Sequence, residues 1–425
     1  MSETVLLQQN QGVRRLVKHK LYLMMITAKI ISRFGDSVDS IAYSWMVYLL
    51  TGSELLMGTL YAINFVPGIA FSMFTGVLVD RWSKKKVVIV TNAGRGITVT
   101  VTALLYFIGD LQPWHLFIFT FINSTLECFS TPAEMSLVPR ILPKELLLSG
   151  NSLTSSASRT AELAGLAAAG GLIAMFGISG AMLIDALSFL LAALLYVWIR
   201  IDRDHGQEDD NDAGLMQAEE SPSYWSQFKT GLKFVKGHKL MMMTMLSAAF
   251  VNLCLTPKNV LEPVYVKQIL HSGPYGLSLI GIALITGMII SGLWISQKGS
   301  AYRKSSLIVF GFLLLGVAYS LLYVPALLRE YPLYAAAAFC FGMGFAISFV
   351  NTPVSTYMME VTPKAMLGRV GALSSTICTC AIPVGSLLAG WAGAFVGVHV
   401  LYLVFGLLML IPGVYLWSQK GFMKI

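Results

Sequence analysis

Glu127 lies deep inside a long apolar run, about 14 residues after Pro113, and at about 1.5 Å of helical rise per residue it sits about 21 Å from the start of that run. An ionisable side chain in hydrocarbon is costly, so its presence there points to a task. A carboxyl at that depth can take a proton from one side and release it to the other, which makes Glu127 a candidate proton carrier; a structural glutamate held by Ser124 or Asn123 is the plainer reading. Arg33, Asp36 and Asp39 recur at i, i+3 and i+6, so neighbours share a helix face and can pair. A paired Asp36 acts as a fixed counter-charge or cation contact, an unpaired one as a second proton carrier, and a purely structural ion pair accounts for the spacing equally well. Arg159 and Glu162 are likewise three apart and can neutralise each other, for packing or for substrate contact. Arg95 can reach an acid or simply snorkel to the interface. Asp185, Lys258 and Glu262 stand nearer the outer ends of their runs, and the sequence gives them no role.

The elements that must position these groups are the apolar runs themselves. Of 425 residues 56% are hydrophobic and only 12% charged, and the mean hydropathy of +0.69 lies far outside the balance of soluble chains. A bilayer core about 30 Å thick needs about 20 helical residues per crossing. The sequence predicts twelve such spans, with short Gly-, Pro- and Ser-rich connections except after the sixth. With the N-terminus inside, 23 of the 30 basic residues face the cytosol and only Lys267 and Arg329 fall outside, as positive charge should. Both termini are therefore expected in the cytoplasm. A polar, basic tail precedes the first span and no small-residue cleavage pattern follows it, so that span is expected to be a retained helix. The net charge of +8 is spread over many loops, which suits topology and anionic-lipid contact, and no nucleic-acid partner is expected.

The chain also repeats itself. Gly165, Gly170 and Gly177 recur as Gly385, Gly390 and Gly397, each displaced by 220, with Leu153 matching Leu373 at the same offset. Thr131-Pro132 pairs with Thr352-Pro353, and Pro143-Lys144 with Pro363-Lys364. The expected organisation is a cytoplasmic tail over 1–20, a six-helix bundle over 21–201, a linker over 202–238 and a second six-helix bundle over 239–425. Parallel repeats of this kind place a binding site at their interface near the midplane. The linker opens with an acidic, aromatic-poor stretch expected to be unstructured; after it, Trp225, Phe228, Leu232 and Val235 alternate with Lys229, Lys233 and Lys236 at helical spacing, as in a helix lying in the headgroup layer.

Between the second and third spans, Gly76-Val77-Leu78-Val79-Asp80-Arg81-Trp82-Ser83-Lys84-Lys85-Lys86 is a compact charged turn in an otherwise apolar stretch. It resembles the cytoplasmic loop of the major facilitator superfamily, whose pattern extends over the whole chain. The runs Phe34-Gly35-Asp36-Ser37, Tyr48-Leu49-Leu50-Thr51-Gly52-Ser53, Thr131-Pro132-Ala133-Glu134 and Leu142-Pro143-Lys144-Glu145, with Asn151-Ser152-Leu153, resemble the macrolide-efflux and siderophore-exporter branch of bacterial transporters. There are departures: Ser83 replaces the loop's second glycine, Ser296 stands where the second-half aspartate would be, and Gly165-Leu166 replaces the fifth-helix glycine-proline. The resemblance implies an all-α membrane protein with twelve transmembrane helices in two pseudo-symmetric six-helix bundles. It implies a cytoplasmic gate at Gly76, Asp80, Arg81, Lys84 and Arg95, in which Asp80 meets the positive N-terminal end of a helix. Lys85 and Lys86 read as simple positive-inside anchors. Chambers of such exporters are lined by aromatic and polar groups, which singles out Tyr61, Asn64 and Phe65 beside Arg33, Asp39 and Glu162, with Glu127 and Asp36 carrying protons.

No phosphate-binding Gly-x-x-x-x-Gly-Lys-Ser/Thr loop and no metal-spaced His pair occurs, and the five cysteines lie scattered within spans. No enzyme activity, cofactor or metal is expected, and energy must come from an ion gradient or the substrate's own. The sequence thus predicts a monomeric, multi-pass protein of a bacterial inner membrane that exports amphipathic small molecules, drug or macrolide, against protons. An exporter of one metabolite or siderophore and a lipid translocator are the alternatives.

Overall fold

Glycine and proline punctuate the chain where its helices begin and end. Pro113, Pro274 and Pro332 each open a helix, a position where the missing N–H is no loss. Gly109 closes one in the left-handed region at φ 88°, its N–H donating to the Leu105 and Tyr106 carbonyls. In a computed structural model, residue 16 and residues 18–199, 232–363, 366–419 and 421–424 are described. The long helices are α1 (Lys20–Thr51), α2 (Glu54–Arg81), α3 (Lys84–Ile108), α4 (Pro113–Ile141), α5 (Leu147–Trp198), α6 (Lys239–Gln268), α7 (Pro274–Lys298), α8 (Lys304–Ser320), α9 (Pro332–Val361), α10 (Leu367–Gly393) and α11 (Val398–Ser418). The chain is an all-α membrane protein.

The 52 residues of α5 are two helical arms joined at Gly177, whose φ 71° and ψ 178° break the helix. Among the described residues this makes twelve long helical segments. Nine helices of the described residues are long and apolar enough to cross a membrane, the α5 stretch Ser149–Trp198 among them at 50 residues, twice what one crossing needs. Missing from the nine are α1 and α4, whose apolar character is diluted by Lys29, Arg33, Asp36 and Asp39, and by Glu127, Glu134 and Arg140. Large apolar side chains such as Phe107, Phe176 and Trp391 point outward, as on a surface solvated by lipid.

Gly177 occupies a conformation open essentially to glycine, where another residue costs about 1–3 kcal/mol. Gly177→Ala should therefore lower the apparent melting temperature by about 3 °C or more, while Gly171→Ala in the helical first arm, with open space beside it, should not. Equal melting of the two variants would mean that the break between the arms is not a strained one.

Two compact units divide the chain, one of Met1–Tyr43 with Ala70–Pro222, the other of Ser44–Ile69 with Ser223–Ile425. The second unit takes in the end of α1 and much of α2. Small residues explain the grouping: a Cβ on Gly58 would run into the Ser386 carbonyl and reach 2.9 Å from the Gly390 Cα, and one on Gly390 would come within 2.7 Å of the Glu54 carbonyl. The expected linker lies outside the described residues over 202–231. Beyond it, Val235 is buried in a cluster with Met241, Met245, Tyr357 and Val370 rather than left against headgroups.

Candidate functional site

In the first unit α1 is held against both arms of α5. A Cβ on Gly35 would clash with Ser188 Oγ and stand 2.5 Å from Asp185 Oδ1, and one on Gly165 would come 2.5 Å from the Phe34 carbonyl. On α3, Gly94 and Gly96 flank Arg95: a Cβ on Gly94 would meet Leu126 of α4 at 2.8 Å, and one on Gly96 the Ala186 carbonyl of α5 at 3.1 Å. Four helix elements therefore close around one guanidinium. Tyr22 donates to the Gly150 carbonyl at 2.8 Å and fixes the start of α1 on α5.

Arg95 Nη2 donates to Asp36 Oδ1 at 2.9 Å, and Arg33 approaches Asp36 Oδ2 at 3.8 Å. The Phe189 ring lies 4.1 Å below the Arg95 guanidinium, a cation–π contact. Asp36, Glu127, Asp185 and Glu134 all act electrostatically on Arg95. Asp185 is 1% exposed and accepts from Ser188 Oγ at 3.2 Å; Asp39 faces Asp36 and Arg95, and its Oδ1 is buried without a hydrogen-bond partner among the described residues. Next to this cluster Lys29 donates to Glu134 at 2.6 Å, with Ser130 donating to the other carboxylate oxygen at 3.3 Å. Three cations, Lys29, Arg33 and Arg95, thus meet five carboxyls, Asp36, Asp39, Glu127, Glu134 and Asp185. A buried carboxylate without a partner is strongly disfavoured, which makes Asp185 and the unpartnered Asp39 oxygen the members of this group that most need the Arg95 charge.

A cavity of about 700 Å³ adjoins the cluster between α1, α4 and the first arm of α5. Arg33 and Glu162 line it, as do Lys29, Glu134, Asn151, Ser155, Ser158 and Arg159. Arg159 pairs with Glu162 at 2.8 Å, the local neutralisation expected from their spacing. Met135, Val138, Pro139 and Leu147 supply an apolar wall.

Of the residues singled out from sequence, Arg33, Asp36, Asp39, Arg95 and Glu162 come together here. Arg95, expected at a cytoplasmic gate, engages Asp36. Glu127 faces Arg95 but its side chain is exposed, where burial was expected; the helix turns this position out of the packed interior. Lys84 begins α3. Gly76, Asp80 and Arg81 lie at the end of α2, and their side chains are outside the described residues. Tyr61, Asn64 and Phe65 belong to the second unit, where the Tyr61 and Phe65 rings stand 5.3 Å apart. There Tyr61 faces the ion pair of buried Lys258 with Glu262 at 2.7 Å, and the Tyr402 ring stands tilted against those of Tyr265 and Tyr319 at 4.8 and 5.4 Å.

Ser188, Lys29 and Glu134 were not singled out from the sequence, and Asp185 was noted there without a role. Glu134 carried a signal in the run Thr131-Pro132-Ala133-Glu134, and Asp185 and Lys29 in being ionisable within apolar runs. Asp185 is 149 positions from Asp36, and the close approach at Gly35 is what joins them.

The family described as Major Facilitator Superfamily matches residues 25–382. Macrolide efflux protein A of Streptococcus pyogenes is 24% identical over 393 residues, covering 92% of this chain and 94% of that protein. The multidrug efflux pump Tap of Mycolicibacterium fortuitum is 22% identical over 400 residues, at 92% and 94% coverage. Among solved structures, that of the nucleoside transporter NupG is similar with a TM-score of 0.76 at 12% identity, covering 94% of this chain and all of that one; the likeness is one of fold.

Proposed function

Since the chain belongs to the Major Facilitator Superfamily and is a multi-pass membrane transporter of small molecules, not an enzyme, we propose that it exports amphipathic compounds in exchange for protons. The observation that carries the reading is the shared guanidinium: Arg95 bonded to Asp36 at 2.9 Å with Asp39 and Asp185 beside it. A proton arriving on Asp36 removes the acceptor charge and releases Arg95 to another carboxylate, so proton movement changes which helices are tied together. Asp36 and Arg95 then act as the coupling pair, Asp39 with its unpartnered oxygen holds a proton, and Glu127, whose side chain is exposed, exchanges it. Two relatives bear efflux in their names, which supports the outward direction. The two bundles over 21–201 and 239–425 would rock against each other in alternating access, with the Asp80–Arg81 turn closing the cytoplasmic side. A bacterial inner membrane with both termini inside, and a monomer as the working unit, complete the proposal.

The test is proton flux in liposomes with an imposed gradient, internal pH being followed as lipophilic cations, macrolides and catecholate siderophores are added. Wild type should show substrate-dependent proton movement, and Asp39→Asn and Glu127→Gln should each reduce it to the leak of empty vesicles. Flux unchanged by both substitutions would remove these acids from the mechanism. No flux with any compound would favour a lipid translocator.

A further inference from the structure

The cavity between α1, α4 and the first arm of α5 contains a cation that its neighbours do not fully satisfy. Lys29 is engaged by Glu134 at 2.6 Å and Arg159 by Glu162 at 2.8 Å. Arg33 has Asp36 at 3.8 Å, and Asp36 already accepts from Arg95 at 2.9 Å. Among the described residues, Arg33 is therefore the cavity's weakly paired cation, and its side chain is 46% exposed. Ser158 lines the same cavity, and its Oγ is buried without a hydrogen-bond partner among the described residues. A buried hydroxyl lacking a partner is uncommon and calls for one. A planar guanidinium offers a fork of donors that matches two oxygens of one anion, and the hydroxyl can donate to the same group. Across the cavity lie the apolar side chains of Met135, Val138 and Leu147, and about 700 Å³ is room for a drug-sized molecule.

We propose that this cavity binds an amphipathic molecule through an anionic group, a carboxylate, phosphate or sulfonate, held by Arg33 with Ser158 donating beside it and the apolar body on Met135, Val138 and Leu147. The assignment rests on the reading of the chain as a transporter of amphipathic compounds and narrows it. A cationic head group would be repelled by Arg33, and a neutral one would leave the guanidinium without a charge-assisted bond.

The head group could belong to a free amphiphile or to an anionic phospholipid. Binding is measured by fluorescence anisotropy on the full-length chain in phosphatidylcholine nanodiscs, with amphiphiles sharing one dye-labelled apolar body and ending in a carboxylate, its methyl ester or a tertiary amine. The carboxylate should bind about 10- to 100-fold tighter than the ester, the range expected of hydrogen bonds to charged groups. Arg33→Gln should abolish that preference and leave ester binding within about twofold, Arg33→Lys should keep part of it, and Ser158→Ala should weaken the carboxylate by about 3- to 10-fold. Loss of carboxylate binding when phosphatidylglycerol is added would assign the anion to a lipid head group; binding unaffected by that lipid would assign it to a free amphiphile. Wild type binding the ester or the amine as tightly as the carboxylate, or binding none of the three, would overturn the proposal without recourse to any variant. So would a carboxylate preference that survives Arg33→Gln. Vesicle flux of the amine without carboxylate preference would spare the transport reading while sinking this one, whereas carboxylate binding with no flux of any member would do the reverse.

Discussion

Arg95→Met is expected to lower the apparent melting temperature of the purified protein by roughly 10 °C and to abolish transport. The substitution keeps an apolar stem of similar length but leaves Asp36 without its 2.9 Å partner and Asp39 and Asp185 without the nearest positive charge. Removing one member of a buried ion pair costs about 3–5 kcal/mol because the other charge stays behind, and half-buried Asp36, with Arg33 still 3.8 Å away, takes the lower end of that range. Loss of the contact over Phe189, 4.1 Å from the guanidinium, adds about 0.5–2 kcal/mol. At about 2–4 °C per kcal/mol for a folding unit of some 150–250 residues, the sum reaches the stated shift. The double variant Arg95→Met with Asp36→Asn should recover a large part of the stability and none of the transport, since it removes the stranded charge and the coupling device together. Arg95→Lys should fall between, because an ammonium reaches one acid at a time where the guanidinium serves several. A melting curve for Arg95→Met within 1–2 °C of wild type, far short of what a stranded buried charge costs, would show that the cluster is solvated and would remove the coupling role proposed for Arg95 and Asp36.

That cluster also marks how far the residues alone could lead. The apolar runs and the proline and glycine punctuation could be read directly, because a bilayer demands a helix of fixed minimum length and these two residues mark where helices begin and end. Arg33, Asp36 and Asp39 could be read as a group because they lie within two turns of one helix. Partners on different helices could not. Arg95 is 59 positions from Asp36, and which side of α3 faces α1 depends on Gly94 and Gly96 admitting α4 and α5 on either flank. Asp185 was given no role for the same reason: its placement depends on a glycine in another helix. Glu127 shows the converse limit, since depth along a helix is readable from residue number but the direction of the side chain is not. The repeat, too, suggested where the chain divides, yet Ser44–Ile69 groups with the second unit through contacts at Gly58 that no periodicity reveals.

Gly344→Val should destabilise the second unit by about 3 kcal/mol, the upper end of what overpacking costs. A Cβ at Gly344 would run into the Leu284 carbonyl oxygen and stand 2.7 Å from the Leu284 carbonyl carbon, and one at Gly287 would meet Phe341 and Phe345 backbone in return, so α7 and α9 cross with no room on either side. Backbone atoms cannot swing away as side chains do, and the helices would have to part. Parting them also loosens the bond from Ser348 Oγ to the Met288 carbonyl at 2.9 Å and the Trp294–Phe349 contact at 5.2 Å, which hold the same crossing one and two turns on. Buried Cys340, on α9, reports the event directly: its thiol should react with a maleimide dye at a temperature lower than in wild type. Gly292→Ala on α7 and Gly371→Ala on α10 are the controls, since nothing lies within 4 Å of a Cβ at either position, and alanine in a helix gains up to about 1 kcal/mol over glycine. Transport by Gly344→Val should fall in step with its melting temperature, because a bundle that rocks as a body needs its helices tied, whereas Arg33→Gln should lose the carboxylate preference at unchanged melting. A Gly344→Val protein as stable as the two controls would mean that α7 and α9 do not meet through their glycines, and the second unit would have to be held by other contacts.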